Sequence, residues 1–478
     1  MTLDSAICYR ALRARDARFD GRFFVAVSST RIYCRPVCTV KPPKRENCRF
    51  FPSAAAAEAL GYRPCLRCRP ELAPGNASVD ATTRLAQAAA SMMEDRALDD
   101  EGLDAVAARL GITDRHLRRA FGAEFGVSPV EFAQTQRLLL AKRLLTDTAL
   151  PVTEVAFASG FGSVRRFNAL FRERYRLAPG ELRGRRNGAA VSDALEFELA
   201  FRPPFDWPAV SAFLGARAIP GVEAVEGARY RRTVRIAADG KAHAGWIAVA
   251  LSPAKPTLRV TVSASLATAL PPALSRVKAL MDLACHPADV AQALGRLAAR
   301  RPGLRVPGAF DGFETAVRAI LGQQVSVAGA STLAGRLAAA LGDPVSTPFD
   351  SLTTLFPTVA TVAEVPPARI AKLGMPLARA RTIAALARAV ADGKLALVPN
   401  ADVEATLETL RALPGIGEWT AQYIAMRALS WPDAFPHTDL GVMKALGTTD
   451  ARRALAAGEA WRPWRAYAVM HLWQSLKE

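Results

Sequence analysis

The sequence predicts a multidomain α+β protein: a small cysteine-bearing domain, an all-helical middle, then an α/β lobe joined to a helical lobe. Three observations predict it. Four of the seven cysteines, Cys34, Cys38, Cys65 and Cys68, form two close pairs near the N-terminus. Residues 80–185 place apolar side chains at helical spacing and carry few strand signals. From about residue 190, alternating stretches LEFELAF, YRRTVRIA and LRVTVSA read as strands, and from about Pro287 the pattern turns helical. The length of 478 residues suits about three units of roughly 150 residues each.

The boundaries read as 1–75, 80–185, 190–285 and 286–478. The Pro/Gly/Asn/Ser stretch PELAPGNAS (70–78) and the basic, Gly-containing RGRRNGAA (183–190) separate the first three. Ala-rich stretches such as SAAAAEAL (53–60) and LAAALG (337–342) are helix formers without a chemical signal. The formal net charge is +18, divided as +11 over residues 1–190 and +7 over the rest. A basic balance of this size favours a polyanionic partner, of which nucleic acid is the usual one. Apolar runs are interrupted well before the ~18 residues a membrane span needs. The N-terminal stretch is charged early and has no apolar core, so no signal peptide is expected.

Cys34-x-x-x-Cys38 and Cys65-x-x-Cys68 offer four soft thiolates, the ligand set of a tetrahedral zinc ion. Without an export signal, a metal site is the better reading than disulfides. A purely structural zinc knuckle is the plain alternative. The surrounding text, FFVAVSSTRIYCRPVC, RENCRFF and ALGYRPCLRC, resembles the N-terminal domain of the Ada methylation-response proteins over nearly all of residues 1–75. The resemblance implies that Cys34 is both a zinc ligand and the acceptor of a methyl group from a DNA methylphosphotriester. Cys38, Cys65 and Cys68 complete the ligand set. Four thiolates around Zn²⁺ carry a net charge of −2, and methylating one leaves −1, so repair raises affinity for DNA phosphates. Cys8 and Cys48 stand outside this pattern.

In the middle, Leu103, Val106, Ala107 and Leu110 share one helix face. Gly111 breaks that helix, and Thr113 caps a basic one carrying Arg115, His116, Arg118 and Arg119. Val152, Val155, Ala156 and Ser159 repeat the scheme before Gly160, and Ser163 caps a helix with Arg165, Arg166 and Asn168. These are two helix-turn-helix units, each offering a recognition helix to the major groove. Joined by EFAQTQRLLLAKRLLTD, they resemble the AraC-type DNA-binding domain over residues 84–183, most specifically in VAFASGFGSVRRFNALFRERY. The seven named residues of the two basic helices are the expected DNA contacts.

The sharpest motif is LPGIGEWTAQYIAMRAL. Its Pro414-Gly415-Ile416-Gly417 makes a tight turn between helices, where a phosphate can meet free N–H groups of the next helix, around Gly415, Gly417 and Thr420. Asp439 follows about twenty residues on, in FPHTDL. Together these resemble the helix-hairpin-helix glycosylases. From 190 to 478 the chain is similar to the 3-methyladenine glycosylase II (AlkA) family, with GAFDGFETAVRAILGQQVSVAGA, KLGMPLARA and WRPWRAYAVMHLWQ as further shared text. The resemblance implies excision of N-alkylated purines from double-stranded DNA, with Asp439 as the catalytic carboxylate and Trp419, Tyr423 and Trp473 lining the pocket for the flipped base. Bifunctional relatives carry a lysine at the position of Trp419, so a monofunctional hydrolase is implied. Gln324 matches the duplex wedge, an apolar Leu in the best-known members. Carbonyls near Leu413 are implied to bind a monovalent cation, and His437 is given no role.

Ada proteins commonly end in a methyltransferase domain with a Pro-Cys-His-Arg motif. The nearest text, Ala284-Cys285-His286-Pro287, lacks both flanking residues and lies within the glycosylase resemblance, so Cys285 is expected to be buried. The reading is thus a bacterial, cytoplasmic, nucleoid-associated fusion of methyl-acceptor sensor, DNA reader and glycosylase, with RNA polymerase as a further partner. Two alternatives stand beside it: a transcription regulator whose glycosylase fold is an inactive DNA-binding platform, and a glycosylase with a vestigial sensor.

Overall fold

A computed structural model describes residues 4–75, 81–94, 102–183, 193–238, 240–399 and 401–477. The breakers expected at 76–78 and 184–190 lie outside these residues. In the first domain the helix Ser5–Ala14, capped by Asp4, packs on a four-stranded sheet. Strand Phe24–Val27 pairs antiparallel with Ile32–Cys34 and Cys48–Phe51. Ile32–Cys34 also pairs parallel with Arg63–Pro64. That parallel register sets Tyr33 beside Pro64, and so delivers Cys34 and Cys65 side by side at the strand ends.

The helical middle contains Ala81–Glu94, Gly102–Arg109, Asp114–Phe125, Pro129–Asp147, Val152–Ala158, Val164–Tyr175 and Pro179–Arg183. Thr113 and Ser163 cap the two basic helices, accepting from the N–H groups of His116 and Arg166. Ser128 and Glu131 form a reciprocal capping box that starts the 19-residue connecting helix Pro129–Asp147. The cores do not follow the composition boundaries. Tyr33, Phe51 and Tyr62 of the first domain share one apolar cluster with Phe121, Phe125 and Phe132. Phe167, Phe171 and Tyr175 instead belong to the large core of the C-terminal half.

The α/β lobe is a five-stranded antiparallel sheet, ordered Ala194–Ala200, Thr257–Ser263, Lys241–Leu251, Arg229–Ala238, Glu223–Glu226. Lys241–Leu251, an Ala-rich stretch with Gly245 inside it, gives no alternating signal. Its glycine is required by the sheet, because a Cβ there would sit 2.2 Å from Ser263 Oγ. Helical structure also begins earlier than Pro287, with Trp207–Gly215 and Leu270–Leu280. Both helices open on prolines in their first turn, which the missing N–H permits there. The helical lobe then runs from Pro287–Leu294 to Arg465–Ser475. Cys285 is buried in it at 1 % exposure. No helix among the described residues is long and apolar enough to cross a membrane.

Candidate active site and metal centre

The hairpin joins helix Val403–Ala412 to helix Glu418–Arg427. Ile416 is buried and its N–H closes the turn on the Leu413 carbonyl at 3.1 Å. Gly415 has φ +87°, and a Cβ there would lie 2.2 Å from Thr382 Oγ1. That hydroxyl donates to the Pro414 carbonyl (2.8 Å), while Gln323 Nε2 donates to the Gly415 carbonyl and to Thr420 Oγ1, each at 2.9 Å. The Thr420 hydroxyl is therefore turned inward, at 2 % exposure. Gln323 bolts the loop before helix Val327–Leu341 onto the hairpin; its neighbour Gln324 stands exposed at φ +55°, beside exposed Val325 and Val327.

Trp419 and Tyr423 lie four residues apart on one face of the helix after the hairpin, with rings stacked at 5.4 Å. Asp439 is the N-cap of helix Leu440–Ala445. Its Oδ1 accepts from Val442 N (2.9 Å) and Trp473 Nε1 (2.8 Å), and its Oδ2 from Trp419 Nε1 (2.7 Å). The two indoles thus clamp the carboxylate from both sides. Tyr423 lies between them, 6.3 Å from the Trp473 ring, and Phe213 stacks on Trp473 at 6.4 Å. The four residues that the sequence singles out here converge.

Several contributors to this site carry no motif. Phe213 comes from the α/β lobe, with Arg217 3.8 Å and Arg427 4.8 Å from its ring centroid. Arg427 is buried and donates to the Tyr423 hydroxyl at 2.9 Å. Burial alone raises the Tyr423 hydroxyl, but Arg427, Arg217 and Arg318 together hold it below its ordinary pKa. Gly441 packs directly against the clamp: a Cβ would meet Asp439 Oδ1 and Trp473 Cδ1, both at 3.0 Å. Gly441→Ala is expected to lower excision by ~10–100-fold by displacing the clamp, with thermal unfolding almost unchanged. An alanine variant of wild-type activity in single-turnover assays contradicts this. A cavity of about 950 Å³, with Glu71, Arg276 and Trp431 in its wall, is not lined by Asp439.

At the other end of the chain, the Sγ atoms of Cys34, Cys38, Cys65 and Cys68 all lie within 4.8 Å of one another. Tetrahedral zinc with ~2.3 Å bonds sets its sulfurs about 3.8 Å apart, so the cluster fits the ion. Cys65 N donates to the Tyr33 carbonyl at 3.0 Å, and Arg35 N donates to Cys68 Sγ at 3.4 Å. The buried Arg35 guanidinium is paired with Asp20, so its charge is balanced within the domain. Cys34 is 6 % exposed. Cys48 bonds to the Lys44 carbonyl, and both it and Cys8 stay outside the cluster.

On the first basic helix Arg115, His116, Arg118 and Arg119 are all exposed. Arg118 bonds to Asp114 at 2.9 Å and Arg119 lies 3.3 Å from His116 Nδ1. On the second, Arg165 and Arg166 are exposed and Asn168 is half-buried. Both recognition helices therefore present cations outward and Phe residues inward.

A hairpin-held carboxylate in an aromatic pocket, preceded by a tetrathiolate domain and two helix-turn-helix units, defines a base-excision DNA repair enzyme with a zinc-binding, DNA-reading front half. Four family profiles match: "Metal binding domain of Ada" over residues 7–71, "Helix-turn-helix domain" over 106–185, "AlkA N-terminal domain" over 196–311 and "HhH-GPD superfamily base excision DNA repair protein" over 317–457. The chain belongs to the family of bifunctional transcriptional activator and DNA repair enzymes of the Ada/AlkA type. It is 41 % identical to the "Probable bifunctional transcriptional activator/DNA repair enzyme AlkA" of Mycobacterium tuberculosis, over 98 % of this chain and 96 % of that one. It is 38 % identical to "DNA-3-methyladenine glycosylase 2" of Escherichia coli over 58 % of this chain and 96 % of that one. Its front part is 35 % identical to the E. coli "Bifunctional transcriptional activator/DNA repair enzyme Ada", over 30 % of this chain and 38 % of that one.

Proposed function

We propose that the C-terminal half hydrolytically removes N-alkylated purines of the 3-methyladenine type from duplex DNA, and that Asp439 is its catalytic carboxylate. The observation that carries this is the double indole clamp on Asp439. Each carboxylate oxygen offers two lone-pair directions. Oδ1 uses both, on Val442 and Trp473, whereas Oδ2 uses one, on Trp419. The open direction on Oδ2 faces the sugar of a flipped nucleotide. As the C1′–N bond breaks, the base leaves with the bonding electrons and the fixed negative charge stabilises the cationic sugar. Water then adds to C1′ and gives its proton to Asp439. Trp419, Tyr423 and Trp473 supply faces on which a cationic base stacks. A carboxylate held this firmly also speaks against an inactive DNA-binding platform.

Gly417 has ordinary backbone angles and open space around it, so its missing side chain serves a partner outside the chain. With Gly415 and the N-terminus of the helix carrying Thr420, it receives a backbone phosphate; the hairpin carbonyls near Leu413 would hold a monovalent cation, which would supply positive charge to that phosphate. Gln324 enters the gap left by the flipped base, backed by exposed Val325.

Trp419, whose indole N–H is engaged by Asp439, stands at the position where the resemblance puts the lysine of bifunctional relatives, which supports a monofunctional reading. The enzyme is accordingly monofunctional and leaves an abasic site. Borohydride added during turnover is expected to trap no protein–DNA adduct; a trapped adduct contradicts this part of the reading.

In the front half, Cys34 accepts a methyl group from a DNA methylphosphotriester: an S–C bond forms, the C–O bond breaks and the phosphodiester oxygen leaves as the anion. Zinc bound there keeps the four sulfurs as thiolates at neutral pH. The two basic helices, through Arg115, His116, Arg118, Arg119, Arg165, Arg166 and Asn168, then hold a promoter and bring RNA polymerase to it. The protein acts in the cytoplasm, on the nucleoid.

A further inference from the structure

The six-residue helix Ala54–Ala59 belongs to the cysteine domain, yet both of its ends rest on the DNA reader. At its start, Ser53 Oγ accepts from Ala56 N (3.0 Å) and donates to the carbonyl of Phe125 (2.7 Å), the last residue of the first recognition helix. Gly126, which follows, lies against Ala56 and Pro52. At the other end, Glu58 is 2 % exposed. Its carboxylate accepts from the hydroxyl of Tyr175 (3.3 Å), the last residue of the second recognition helix. It also accepts from Tyr33 (2.9 Å) and from Thr135 of the connecting helix (3.3 Å). Arg174 donates to the Glu58 carbonyl at 3.1 Å.

A second buried contact fixes the connecting helix to the segment after Cys68. Lys142 Nζ lies 2.6 and 2.7 Å from the Glu71 oxygens, and Arg69 bonds to Asp147 at 2.7 Å. Burying a carboxylate is costly; burial pushes Glu58 up to about 7 despite the bonds from Tyr33 and Tyr175 and the charge of Arg174. A group retained at that cost, with its acceptors filled by three separate elements, holds those elements in one geometry.

Two recognition helices reading one duplex must enter major-groove segments set apart by a fixed number of base pairs. We propose that the helix Ala54–Ala59 is the spacer between the two recognition helices, with Ser53 and Glu58 as positioning residues, so that the cysteine domain sets which half-site spacing the protein reads. This rests on the reading that the tandem units bind duplex DNA. It adds that their separation is dictated by neither unit alone.

The test uses the full-length chain. A site is first selected from randomised duplexes by the wild-type protein. The two contacted segments are then moved by one to five base pairs, and binding is measured at each spacing. One inserted base pair rotates one segment by roughly 34–36° about the DNA axis, and wild type is expected to lose at least ~10-fold in affinity. Glu58→Ala is expected to flatten that dependence to within ~3-fold, with Tyr175→Phe, which keeps the ring packed, intermediate and Glu58→Gln near wild type. A cooperative unfolding transition well above the assay temperature and wild-type 3-methyladenine excision report an intact chain. If Glu58→Ala and Tyr175→Phe keep the wild-type spacing profile, or lose affinity equally at every spacing, the spacer assignment is wrong while the DNA-reading assignment stands. If wild type selects no duplex at all, the DNA-reading assignment falls and the spacer with it.

Discussion

Asp439→Asn is expected to lower single-turnover release of 3-methyladenine from methylated duplex DNA by ~10³-fold or more. Asparagine is as good an N-cap as aspartate, so the bond to Val442 N and the helix Leu440–Ala445 survive. What changes is the charge and one clamp contact: with the amide oxygen kept on Val442 N and Trp473 Nε1, the NH₂ takes the place of Oδ2 and faces Trp419 Nε1, itself a donor. The loss therefore reports chemistry rather than folding. Asp439→Ala removes the cap as well, at about 1 kcal/mol, and separates the two effects: unfolding temperature falls in the alanine variant and holds in the asparagine one. Retained activity in Asp439→Asn would falsify the catalytic assignment.

Cys34→Ala is expected to abolish methyl transfer from DNA phosphotriesters to the protein. It also leaves three sulfurs, so zinc is held more weakly and the first domain loses part of the folding energy that the ion supplies. Transfer and zinc content must be read together. Loss of transfer in a zinc-loaded variant assigns the acceptor, whereas persistent transfer moves it to another cysteine. Excision of 3-methyladenine by the same variant should match wild type, because Asp439 and its pocket share no residue with the cysteine cluster.

Where function rests on a short span with strict spacing, the sequence is readable. Cys34, Cys38, Cys65 and Cys68 follow from two tight pairs, and the turn at residues 413–417 from its Pro and Gly residues. The capping residues Thr113 and Ser163 are local signals for the same reason. What escapes is set by tertiary contact. Phe213 and Arg217 reach the pocket from a different lobe. Gly441 matters only because Trp473 approaches Asp439 across it. Glu58 lies in SAAAAEAL, a stretch read as plain helix former. Its small neighbours Ala54–Ala57 are all buried, which lets the helix sit close to both recognition helices. Strand Lys241–Leu251 is hidden by alanines and a glycine that the sheet itself demands.

The central claim is that one chain carries two independent repair chemistries, at Cys34 and at Asp439. A single reaction tests it: DNA carrying radiolabelled methyl groups is incubated with the full-length protein, and label is counted separately as free base and as protein-bound methyl. Wild type should show both, Asp439→Asn only the protein-bound label, and Cys34→Ala only the free base. If either substitution removes both signals, or neither, the two chemistries are not divided between these residues.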